Sequence, residues 1–113
     1  MTTGIRTVIY PVSDIPRAKA LFSALLGAEP VADAPYYVQF DADGQAIGLD
    51  PHGHRHGQSG PVAYWHVDDV AESLAALVEG GAETVQDPTD VGGLLVALVR
   101  DGDGNLIGLR QAG

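Results

Sequence analysis

The chain repeats itself. Val12-Ser13-Asp14-Ile15 opens one helical pattern and Val67-Asp68-Asp69-Val70 opens another, with Asp14 and Asp69 55 residues apart. Gly27-Ala28-Glu29 followed by Val31 closes the first pattern, and Gly81-Ala82-Glu83 followed by Val85 closes the second, at an offset of 54. Asp43-Gly44-Gln45-Ala46-Ile47-Gly48-Leu49 then returns as Asp103-Gly104-Asn105-Leu106-Ile107-Gly108-Leu109 at an offset of 60, the extra residues falling in loops. Self-similarity at this period means one supersecondary unit used twice. Whatever fold the 113 residues adopt must be buildable from two copies of that unit.

Each copy begins with a short apolar run, Thr7 to Tyr10 or Val62 to His66, and reaches an aspartate suited to accept from the free amides of a helix start. In the first helix Ile15, Ala18, Phe22, Leu25 and Leu26 share one face, Pro16 sits in the tolerated first turn and Gly27 is the stop. In the second, Val70, Leu74, Leu77 and Val78 do the same before Gly80-Gly81. The rest of each copy reads as three strands: 29–33, 36–41 and 45–50, then 83–87, 94–100 and 105–111, with Asp-Gly pairs at the last hairpin. The unit is βαβββ and the class α+β, with unit 1 at about 4–51, a linker at 52–60 and unit 2 at about 61–112, all within a single domain.

Composition narrows the partners. Fifteen acidic against 6 basic side chains leave a net charge of −9, a field that repels nucleic acid phosphates and anionic membrane surfaces. The absence of cysteine removes disulfides, thiolate metal sites and cysteine nucleophiles together. No run approaches the ~20 apolar residues of a membrane span, and no leader-type segment opens the chain, so a cytoplasmic location is the expectation.

Two tandem βαβββ units, the Val-x-Asp entries, the Leu25-Leu26-Gly27 ending and the closing Asp101-Gly102-Asp103-Gly104-Asn105-Leu106-Ile107-Gly108-Leu109 resemble the vicinal-oxygen-chelate proteins of the glyoxalase, bleomycin resistance protein and dioxygenase superfamily. Gly102 stands where the family's closing signature has proline. The resemblance implies a curved mixed sheet around a cavity, with the helices outside, and a metal held by one side chain from the first and last strand of each unit. It places those ligands at Thr7, Gly48, Val62 and Gly108, none of them a plausible donor for a divalent metal. No metal and no other cofactor is expected.

With the strand period of two, residues sharing the parity of those four slots face the implied cavity. Tyr37, Gln39, Asp50, Tyr64, His66 and Arg110 are the candidate ligand-binding set: a stacking surface, an amide, a carboxylate, a phenol, an imidazole and a guanidinium. All are expected to converge on one pocket, Asp50 and Arg110 across its pseudo-twofold axis as ligand clamp or ion pair. Trp65 has the opposite parity and reads as core beneath the helices. His52, His54 and His56 alternate in a Gly-rich loop that offers no preorganised geometry for a metal and reads as a mobile connection.

Lacking the metal slots, the chain resembles the binding members of the superfamily, which sequester a small aromatic or cationic molecule and so confer antibiotic resistance. The alternative is a metal-independent lyase- or isomerase-type enzyme, with His66 or Asp50 as general base and Arg110 or Tyr64 stabilising negative charge. The expected partners are a small ligand and a second copy of the chain, because eight short strands in one chain leave an open sheet with an apolar face. Sedimentation equilibrium at micromolar concentration should therefore report a homodimer, and a monodisperse monomer would contradict it.

Overall fold

The computed structural model describes residues 2–91 and 93–111, so the expected end of unit 2 at residue 112 lies outside the described residues. Two compact units result, one of residues 6–61, the other joining the residues up to 5 with those from 62 onward. The connection 52–60 therefore groups with the first unit, where Gln58 is buried.

In the first unit the part of β1 (Thr2–Pro11) from residue 6 onward, β2 (Ala32–Ala34), β3 (Tyr37–Ala42) and β4 (Gln45–Asp50) lie in the order β2-β3-β4-β1. β1 runs parallel to β4 with Ile9 opposite Gly48, and β3 runs antiparallel to β2 and β4. In the second unit β5 (Val62–Val67), β6 (Glu83–Val91), β7 (Leu94–Arg100) and β8 (Leu106–Gln111) follow the order β5-β8-β7-β6. Here β5 is parallel to β8 with Tyr64 opposite Gly108, and β7 is antiparallel to β8 and β6. The repeat extends to the register: Tyr64 follows Ile9 by 55 residues and Gly108 follows Gly48 by 60, the offsets of the sequence copies. The class is α+β with mixed pairing, as the periodicity predicts.

Helices α1 (Ile15–Leu26) and α2 (Val70–Glu79) start where the aspartates say they should. Asp14 accepts from the Arg17 amide and Asp69 from the Glu72 amide, both at 3.0 Å. Gly27 ends α1 at φ 63°, a left-handed turn that glycine takes without a Cβ penalty. The α2 start is also tied to the last strand, since the Val70 amide donates to Gln111 Oε1 at 2.7 Å.

The buried stripe on each helix is narrower than the apolar one in the sequence. Ile15, Ala18, Phe22 and Leu26 pack on Val38, Phe40 and Leu49, while Leu25 is 75% exposed. Val70, Leu74 and Leu77 pack on Ala97, Val99 and Leu109, while Val78 is exposed. Leu25 and Val78 each sit roughly 70° round the helix from the centre of their stripe, at the margin of what one sheet face covers. Phe22 links Tyr10 and Phe40 at ring-centroid distances of 4.9 and 6.5 Å. Trp65 pairs with Leu109 and so lies on the helix side, yet it is 36% exposed and not core. α2 lies over β6, β7 and β8, and Trp65 on β5 stands beyond that cover.

Three strands depart from their expected bounds by more than one residue. β1 begins at Thr2, whose hydroxyl donates to the His66 carbonyl at 2.8 Å. β2 starts late because Pro30 has no amide to donate, although Val31 already pairs with the Gln39 carbonyl. β6 runs on through Pro88, at the end of the strand order and among register shifts between Thr84 and Thr89, where a missing ladder donor is tolerated. In the turn before β8, hydrogen bonds from the Asn105 side chain and amide hold the Asp101 carboxyl below the ordinary carboxylate range. Among the described residues no helix is long and apolar enough to cross a membrane.

Because Asp69 caps α2 and its neighbour Asp68 does not, Asp69→Ala should lower unfolding free energy by about 1 kcal/mol. Asp68→Ala should stay within ~0.5 kcal/mol of the parent in the same urea titration.

Candidate functional site

The helices claim one face of each unit's strands, so the candidate residues are found on the other. In the first unit Val38, Phe40, Ile47 and Leu49 join the α1 core. Alternation then turns Tyr37, Gln39 and Asp41 of β3, and Ala46, Gly48 and Asp50 of β4, to the opposite side. Tyr37 lies across Gly48: a Cβ there would stand 2.8 Å from Cε1 and Cζ of the ring and would collide with the hydroxyl. The Tyr37 hydroxyl donates to Gln39 Oε1 at 3.3 Å, and Gln39 Nε2 donates to Asp41 Oδ1 at 2.9 Å. This is a polar file along one strand, leading from a half-buried phenol to an exposed carboxylate. Asp50 is on the same face, but its Oδ1 accepts from the His52 amide at 2.7 Å and so closes the turn after β4.

In the second unit Tyr64 of β5 covers Gly108 of β8, where a Cβ would meet the ring root at 2.5 Å. Tyr64 is buried, as are Val62 on the same strand and Leu98 on β7, opposite Gly108. One step along, His66 stands directly opposite Arg110, both half-buried. The structure therefore joins Tyr37 to Gln39 in the first unit and sets His66, Arg110 and Tyr64 side by side on two strands of the second.

The four positions at which the resemblance implies metal ligands do not fit a metal. Thr7 and Val62 are buried and offer no carboxylate or imidazole. At Gly48 and Gly108 the volume a ligating side chain needs is occupied by the rings of Tyr37 and Tyr64. Among the described residues no cluster of three or more His, Asp or Glu side chains could hold an ion; the side chain of His56 lies outside them.

The family model for the Glyoxalase/Bleomycin resistance protein/Dioxygenase superfamily matches residues 4–109. The chain belongs to this superfamily. Among solved structures, it is similar to one from Legionella pneumophila described as an NAD-dependent benzaldehyde dehydrogenase, with TM-score 0.76, 17% identity, and 95% of this chain and 98% of that one covered. Methylmalonyl-CoA epimerase from Mycobacterium tuberculosis gives TM-score 0.73 at 17% identity, covering 99% of this chain and 89% of that one. The Mn(II)-bound glyoxalase from Novosphingobium aromaticivorans gives 0.71 at 21%, covering 97% of this chain and 39% of that one. Identities of this order establish a shared fold. No curated protein sequence matches the chain.

Sequence parity put Tyr37, Gln39, Asp50, Tyr64, His66 and Arg110 on the side away from the helices, as the ladders do, and passed over Asp41 and Gln58. Asp41 shares the parity of Tyr37 and Gln39, so the signal for it was present. Gln58, buried at 3% exposure, with Oε1 turned toward Gly53 and without a hydrogen-bond partner among the described residues, carries no sequence signal, since it follows a Gly-rich turn.

The two seats are not equally tight. Tyr37 meets Gly48 with its tip and is only half-buried, whereas Tyr64 meets Gly108 with Cγ and both Cδ atoms and is 3% exposed. Gly108→Ala should therefore destabilise by about 1–3 kcal/mol, as overpacking does, and Gly48→Ala by less than about 1 kcal/mol because the ring tip can swing aside. Equal losses in thermal or urea unfolding would show that the rings do not occupy these seats.

Proposed function

We propose that this superfamily member binds or sequesters a small organic molecule, aromatic or cationic, on the strand faces turned away from its helices. The observation that carries the reading is the Tyr37–Gln39–Asp41 file resting on Gly48. It presents a ring, an amide and a carboxylate in sequence, and among the described residues of β1, β3 and β4 no Lys or Arg shares that face. A flat ligand stacks on such a phenol, and a donor or cationic group on it meets acceptors. On the second unit's own face, Tyr64, His66 and Arg110 offer polar groups.

Binding is favoured over catalysis because the carboxylate of Asp50, one of the two candidate bases, is engaged in the turn at His52. Sequestration needs no base and no metal, only a face with oriented polar groups, which suits a chain in which phenol rings occupy two of the four implied metal slots.

A thermal-shift screen of small aromatic amines and amides identifies a ligand through the stabilisation that binding confers. Tyr37→Leu, which keeps an apolar side chain and removes ring and hydroxyl, should then weaken that ligand by ~1–3 kcal/mol in calorimetry, with His66→Ala reporting on the second unit. Unchanged affinity in both variants would move the ligand off these faces.

A further inference from the structure

On the second unit's face away from α2, β5 contributes Val62, Tyr64 and His66, β8 contributes Leu106, Gly108 and Arg110, and β7 contributes Val96, Leu98 and Arg100. Among the described residues of these three strands none on that face is acidic. This runs against the whole chain, in which 15 carboxylates outnumber 6 basic side chains. Arg100 has its counter-ion at the strand end, Glu83, at 3.9 Å. His66 and Arg110 are direct neighbours across parallel strands, and half-buried Val96 stands opposite Arg110 on its other side, so the three form one row above the buried Tyr64 and Leu98.

Resting on the small-molecule reading above, we infer that this face is a carboxylate site: Arg110, with His66 beside it, receives the carboxylate of an organic acid whose apolar body lies on Val96, half-buried on the strand opposite Arg110. A guanidinium presents a planar fork of five N–H donors that matches a carboxylate two bonds at a time, so it can serve a protein partner and a ligand together. The imidazole adds a donor of adjustable charge next to it. The long-range field of a −9 chain opposes an anion. At about 0.15 M salt that field is screened over roughly 8 Å, while contact with Arg110 is not, so the local pair decides.

Benzoate, benzamide and benzylamine share one ring and differ in charge, and their binding to the unaltered full chain is compared by calorimetry at that salt. The carboxylate site requires benzoate to bind about tenfold or more tightly than benzamide, the advantage of charge-assisted bonds. Arg110→Gln, checked for its melting temperature, should erase that advantage. Benzamide or benzylamine matching benzoate, no measurable benzoate binding, or benzoate binding unchanged in Arg110→Gln each overturns the inference. Should that variant fail to fold, the three-ligand order on the parent chain decides alone. Benzylamine bound without benzoate refutes the carboxylate site and leaves the small-molecule reading standing, whereas failure of all three counts against both.

Discussion

In each unit one amphipathic helix removes a single sheet face from water, and side chains along a strand alternate, so this cover decides what every other strand residue can do. Val38, Phe40 and Leu49 under α1, and Ala97, Val99 and Leu109 under α2, are committed to the core. Their neighbours are turned the other way by the pleat. A slip of one residue in any ladder would exchange the two sets and expose the apolar one, which pins the registers of Ile9 to Gly48 and Tyr64 to Gly108. The capped helix starts at Asp14 and Asp69 fix where each helix begins to cover its strands.

Given those registers, the face away from the helix follows a packing rule instead of a coordination rule. A glycine on a strand lets a ring from a neighbouring strand approach the backbone, and this happens in both units with different donors of the ring and different parts of it in contact. Tyr37 comes from β3 to reach Gly48, whereas Tyr64 comes from β5 to reach Gly108. At Gly48 and Gly108, two of the positions where the resemblance implies metal ligands, the fold here accommodates phenol rings. The two faces also part in charge: Asp41 and Asp50 on the first, His66, Arg100 and Arg110 on the second. A duplicated backbone thus carries unlike chemistry, because substitutions on the uncovered face do not disturb the helix-side core.

Much of this was legible before any coordinates. The repeat, the caps, the α+β class and the parity of Tyr37, Gln39, Tyr64, His66 and Arg110 depend on near neighbours in the chain: hydrogen bonds to a helix's first amides and periods of 3.6 or two residues. Such local rules need no knowledge of what lies across the sheet. The exposure of Leu25, Val78 and Trp65 was not legible, since it depends on how far a helix reaches over its strands. Nor was the seating of rings on Gly48 and Gly108, or the burial of Gln58 against Gly53. Sequence determined which residues share a face; only tertiary structure decided which of them touch, because ring placement is set by cross-strand register and side-chain rotamers among residues distant in the chain.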